Sequence, residues 1–122
     1  MGLEITMRRA GDVTIMDVSG RVTLGEGASG LRNAIHSLLH EGHKKILLDL
    51  AGASYVDSSG LGTMVAAYAT VTNQGGELKL LNAISRVKDL LLITKLYTVF
   101  EVYEDEAAAI RSFGSVATSA NP

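Results

Sequence analysis

Cysteine is absent from this chain, and proline occurs once. Without cysteine there is no disulfide framework and no thiolate zinc site. With 47% hydrophobic residues and that single proline, the composition fits a compact globular protein. Long apolar runs are also missing. Every run falls far short of the roughly 20 residues a spanning helix needs, so neither a signal peptide nor a membrane span is expected, and a cytoplasmic location fits. Excess positive charge is missing too. The 11 basic and 13 acidic residues leave a net charge of −2. No large electropositive face is implied, which argues against DNA, RNA or anionic membrane as a direct partner. Arg8-Arg9 and Lys44-Lys45 are pairs that solvate a turn and a strand entrance, not patches. The 122 residues suit one domain.

What is present centres on Tyr55-Val56-Asp57-Ser58-Ser59-Gly60-Leu61-Gly62. Before it, Lys45-Ile46-Leu47-Leu48-Asp49-Leu50 is short and nearly continuously apolar, the pattern of a strand buried on both faces. After it, Leu61, Val65, Tyr68 and Thr72 recur at helical spacing, with Met64 and Val71 alongside. The stretch therefore marks a strand-to-helix junction. Asp57 and Ser58 are both good N-cap residues, since their oxygens can accept from the free amides of a first turn. Gly60 and Gly62 each cost about 1 kcal/mol of helix propensity against alanine. Their lack of bulk would let another molecule approach the backbone.

A serine at this junction can be a helix cap, a nucleophile or a phosphorylation site. A hydrolase nucleophile elbow needs glycine two residues before and two after the serine. Ser58 has Val56 and Gly60 at those positions, and Ser59 has Asp57 and Leu61, so the pattern fails. No paired base, oxyanion-hole motif or metal cluster supports an enzyme. A phosphoserine adds about −1.5 to −2 charges. A helix N-terminus tolerates that charge, so phosphate would change the surface a partner meets without melting the helix.

Around this centre the chain reads as an α/β protein. Leu3, Ile5 and Met7 alternate with polar residues in a first strand, which Arg8 to Asp12 turns into a second, Val13 to Ser19. Ile15 and Met16 are adjacent in that strand, so one of them should face a second layer. Gly25-Glu26-Gly27-Ala28-Ser29-Gly30 matches a dinucleotide fingerprint, but Ser19-Gly20-Arg21 breaks the preceding strand too early and the chain is too short for two nucleotide-binding halves. It reads as a loop, with Thr23 and Glu26 able to form a capping box. Leu31, Ala34, Ile35, Leu38 and Leu39 stripe the first helix, and Gly42 is placed to end it. His36, His40 and His43 lack the spacing of a metalloprotease motif and should be exposed. Glu77–Leu81 is a strand. Asn82 or Ser85 caps a helix carrying Ile84, Val87, Leu90, Leu91 and Thr94. Val99–Tyr103 is the last strand, and Glu104-Asp105-Glu106 opens a final helix where its dipole favours negative charge. Residues 114–122 are small and polar and read as a flexible tail.

The run Val56-Asp57-Ser58-Ser59-Gly60-Leu61-Gly62 after an apolar strand resembles the signature of bacterial anti-sigma factor antagonists, the STAS-domain family. The resemblance spans about Ile5 to Phe113. It includes Gly20, the stretch Asn73-Gln74-Gly75-Gly76-Glu77-Leu78 and the segment Phe100-Glu101-Val102. It implies one STAS domain over residues 1–113: a mixed β-sheet with an antiparallel N-terminal hairpin and about four helices packed mainly on one side. It implies a non-enzymatic switch without cofactor or metal. In that family a partner anti-sigma factor, itself a serine kinase, phosphorylates the serine directly after the aspartate, a position held by Ser58 here. The resemblance implies that, unphosphorylated, this protein would sequester that partner and so release a sigma factor. Asp57, Ser58, Ser59, Gly60, Leu61 and Gly62 would form the docking surface, and a serine phosphatase would be a further partner. The loop before the first helix also contacts the partner in this family. Arg21-Val22-Thr23-Leu24 stands there, without the acidic residue that often begins it. A STAS docking subunit of a transporter or signalling assembly is the alternative, and both monomer and weak dimer remain open.

Overall fold

The computed structural model describes the backbone of residues 2–119 and the side chains of residues 2–113. Strand β1 (Leu3–Ala10) pairs antiparallel with β2 (Val13–Val22), from Leu3 opposite Gly20 to Ala10 opposite Val13. Gly11 and Asp12 alone make the turn, so Arg8 and Arg9, expected within it, belong to the strand. Leu3 and Ile5 pack against the core. Met7 does not, and is 44% exposed, because β1 is the outer strand of the sheet.

β2 continues through Ser19-Gly20-Arg21, the expected break. Its parallel pairing with β3 (Lys45–Val56) shifts register between Asp17 and Ser19 and again between Gly20 and Arg21. Irregular pairing, not termination, is what the small residues mark. β3 likewise runs past Leu50 to Val56. β4 (Glu77–Leu81) and β5 (Val102–Tyr103) complete the sheet in the order β1-β2-β3-β4-β5, with β2 to β5 parallel. β5 is shorter than the expected Val99–Tyr103, because Leu96–Thr98 forms a 3-10 turn before it.

Strand order equals chain order, so each crossover steps the same way along the sheet. Right-handed crossovers that step one way place their helices on one face. Those helices are α1 (Glu26–His40), α2 (Ser58–Asn73) and α3 (Ser85–Thr94), and they cover the main core. α4 (Glu106–Ser119) covers the opposite face through Ala109 and Phe113, which pack on Val13, Ile15, Leu47 and Leu81. Met16 joins the three-helix core and Ile15 the α4 core, which accounts for the adjacent apolar pair in β2. Ile46, Leu48 and Leu50 face α1 to α3 while Leu47 faces α4, so β3 is buried on both sides. α4 extends into the stretch expected as a tail; residues 120–122 lie outside the described residues.

In α1, Leu31, Ile35, Leu38 and Leu39 are buried, each stabilising by about 1.5–3 kcal/mol. Gly42 ends the helix at φ 91°, with Gly42 N–H donating to Leu39 O at 3.0 Å and His43 N–H to Leu38 O at 2.9 Å. This is the left-handed double-bonded cap expected there. The capping box does not form: Gly25 is the N-cap, and the Thr23 carbonyl instead accepts from Ala28 N–H at 2.9 Å. Neither Asn82 nor Ser85 caps α3. Its N-cap is Ile84, while Asn82, at φ 55°, donates from Nδ2 to Asp49 at 3.2 Å. The buried stripe of α2 is Leu61, Met64, Ala67 and Val71, with Val65 and Tyr68 half-buried. Thr72, expected on that stripe, is exposed, since the stripe is centred one residue round the helix.

Arg8 ties the first strand to the last helix. It bridges Asp17 at 2.6 Å and Glu106 at 2.9 Å, with Asp49 at 3.6 Å. Hydrogen bonds from Arg8 hold the Asp17 and Glu106 carboxyls below their ordinary range. Depressed carboxylates add stability above their unfolded pKa of about 4 and lose it as pH falls through their folded values. Wild-type stability should therefore drop further between pH 5 and pH 2 than that of Arg8→Gln. Urea midpoints at both pH values check this, and parallel pH profiles would refute it.

Candidate functional site

Asp57 sits where β3 becomes α2, with extended backbone, and caps the helix. Its Oδ1 accepts from Gly60 N–H at 2.8 Å and its Oδ2 from Leu24 N–H at 3.1 Å. One side chain thus fixes both the first turn of α2 and the loop between β2 and α1. The Gly60 amide, followed by those of Leu24 and Ser59, holds the Asp57 carboxyl below its ordinary range. Asp57→Ala is expected to cost about 1–2 kcal/mol, measured by urea unfolding. Asp57→Asn, which keeps one acceptor for Gly60 N–H but turns an amide NH2 toward Leu24 N–H, should recover the cap part of that loss and not the loop part. Equal loss in both variants would show that the cap bond is not responsible.

Of the expected docking residues, Ser58 is exposed at the first position of α2, Ser59 is half-buried, and Gly62 is exposed with open space where a Cβ would go. Gly60 and Leu61 are buried, so these two face inward and present no side chain to a docking molecule. Gly60 has a different task from the one its small size suggested. A Cβ there would lie 2.1 Å from Val22 O. Its bareness lets α2 sit directly on the end of β2.

Of the fingerprint-like glycines, Gly27 is explained the same way. β2 reaches Val22, closer to them than the expected break at Ser19. α1 starts at Glu26, and a Cβ on Gly27 would meet Arg21 O at 2.3 Å. Gly27 thus allows the helix to pack on the strand, whereas Gly25 is the N-cap at φ 99° and Gly30 faces the Leu3 side chain. His36 and His40 are exposed as expected, while His43 is half-buried with Nδ1 3.4 Å from Thr14 Oγ1. Among the described residues, no group of three His, Asp or Glu side chains could hold a metal ion. No described helix is long and apolar enough to cross a membrane.

Two features beside Ser58 escaped the sequence reading. Leu24 is 78% exposed and opens a groove of about 380 Å³ between α1 and α2, lined by Ser29, Arg32, Ser59, Gly62 and Ala66. The alternation of polar and small residues along α2 contained no sign that α1 would complete it. On the other side, Arg21 and Arg86 lie over Tyr55, each with its guanidinium carbon 5.2 Å from the ring centre. A pairing of residues so far apart in the chain leaves no local signal.

Residues 4–109 match the family model described as the STAS domain. The chain belongs to the STAS domain family. This STAS domain is similar in sequence to the anti-sigma F factor antagonist of Paenibacillus polymyxa, at 26% identity over 110 residues covering 90% of this chain and 94% of that protein. In structure it is similar to a candidate anti-sigma factor antagonist from Thermotoga maritima, with TM-score 0.83 and 23% identity, covering 89% of this chain and 93% of the other. It is also similar to the Bacillus cell-fate determinant SpoIIAA in its phosphorylated form, with TM-score 0.70 and 17% identity over 89% of this chain and 99% of that one.

Proposed function

We propose that this STAS domain is an anti-sigma factor antagonist whose binding is gated by phosphate on Ser58. The observation that carries the reading is an exposed serine at the first position of a helix whose cap is made by another residue, Asp57. Its hydroxyl is therefore not needed to hold the fold. The anti-sigma factor, acting as a serine kinase, transfers a phosphoryl group from ATP. The bond from Ser58 Oγ to phosphorus forms, the bond to the ADP oxygen breaks, and the hydroxyl proton leaves to a base of the kinase. The unmodified surface of Ser58, Ser59 and Gly62, with Leu24 beside it, binds the anti-sigma factor and so frees a sigma factor. The phosphorylated surface does not bind, and a serine phosphatase resets it. Similarity to a phosphorylated SpoIIAA supports a fold that tolerates the modification, and α2 accepts it because charge at a helix N-terminus is favourable.

Phosphopeptide mapping of the protein from its own cells, before and after a growth transition, tests this. Occupancy at Ser58 that changes with the transition is the expected result. A Ser58 that stays unmodified throughout would remove the switch and favour a constitutive docking subunit.

A further inference from the structure

We propose that Arg21 and Arg86, held against Tyr55, form an anion clamp for a phosphate group brought to Ser58; this rests on the reading of Ser58 as the phosphorylated residue. Arg21 on β2 stands in register beside Tyr55 on β3. Arg86, in the first turn of α3, donates from Nε to Val56 O at 3.4 Å and from Nη2 to the Tyr55 hydroxyl at 3.3 Å. Both guanidinium groups lie over the same ring. Stacking of this kind orients arginine while leaving N–H groups free.

Among the described residues neither Arg21 nor Arg86 takes part in an ion pair, as is also true of Arg9, Arg32, Lys44, Lys95 and Arg111, but only these two are gathered on one ring. Asp57, a neighbouring carboxylate, has its two oxygens engaged by the Gly60 and Leu24 amides. On α3, Lys88 is taken by Glu104. Each guanidinium carbon lies 5.2 Å from the Tyr55 ring centre, and an anion within reach of both is attracted by two positive charges. Ser58 lies two residues beyond Val56, whose carbonyl Arg86 already touches. Two residues of chain span at most about 7 Å, and both arginine side chains are exposed. Arginine binds phosphate oxygens through paired N–H donors. The phosphate has two possible sources with the same chemistry: the phosphoryl group on Ser58, or the phosphates of the kinase's nucleotide.

Phosphoserine installed at position 58 of the full chain by genetic-code expansion tests the clamp without a kinase. In a 31P NMR titration, the Arg21→Gln/Arg86→Gln double variant should show its phosphate ionising about one pH unit higher than the parent. Arginine Nε resonances provide a second reading that needs no substitution. Their displacement on installing phosphoserine assigns the clamp to this chain's own phosphoryl group. Displacement by ATP added to the unmodified chain assigns it to the nucleotide. Identical phosphate titrations together with unmoved arginine resonances in both experiments overturn the clamp, and would leave the Ser58 switch standing. Conversely, an unmodified Ser58 in cells would remove the switch without touching these measurements.

Discussion

Gly60→Ala is expected to destabilise the protein by about 2–3 kcal/mol, although alanine is the better helix former by roughly 1 kcal/mol. The added Cβ would lie 2.1 Å from Val22 O, 2.9 Å from Val22 Cγ1 and 3.0 Å from Val22 C. Two of these atoms are backbone, and the carbonyl accepts from Asp57 N–H at 3.3 Å. It has no room to turn aside, so the first turn of α2 must lift from β2. Overpacking of this kind costs typically 1–3 kcal/mol and occasionally more. Gly62→Ala is the control. It adds the same methyl group to the same helix, two residues on, with no neighbour within 4 Å. It should stabilise by up to about 1 kcal/mol. Urea midpoints at unchanged slope measure both. Alanines that move the midpoint in the same direction would sink the packing argument.

Negative charge at Ser58 is expected to weaken anti-sigma factor binding about a thousandfold. A charge that meets a like charge across about 4 Å costs about 4 kcal/mol at an effective dielectric of about 20. Each 1.4 kcal/mol is roughly tenfold in affinity. Asp57 beside it adds to the repulsion. Ser58→Asp should show this loss, while Ser58→Ala should bind nearly as wild type. Neither removes the helix cap, which Asp57 supplies, so both should stay within about 0.5 kcal/mol of wild-type stability. Titration calorimetry against the cognate anti-sigma factor decides the matter. Equal affinity for Ser58→Asp and wild type would falsify the gating mechanism.

The strands and helices with strong apolar periodicity were legible in the sequence, and so was the junction at Asp57-Ser58. The even–odd split of β3 between two cores follows from its continuous apolar run. Features set by distant chain were not legible. Ser19-Gly20-Arg21 reads as a break because small residues commonly end strands, yet β3 lies alongside and keeps the segment paired. Met7 reads as inward-facing by alternation alone, but the sheet edge leaves it uncovered. Gly60 reads as open because nothing in its own helix crowds it; the atom that forbids a side chain belongs to Val22. Lys79 alternates as an exposed strand residue would, yet it is buried. Its ammonium donates to Ser112 at 3.0 Å and lies 3.2 Å from Glu101. A long side chain can be covered along its stem while its charge finds partners at the rim.

The agreement between chain order and strand order also bears on how the molecule is made. Each new strand adds to the side of a sheet already built, and no gap has to be held for a strand synthesised later. Pairing then relies on contacts between successive units, and each parallel pair closes a loop of about 30 residues, from Val13 to Lys45 and from Lys45 to Glu77. Growth during synthesis can follow the same direction. The long-range closure comes when Glu106 meets Arg8, so the α4 face should be completed last and should be the first to open.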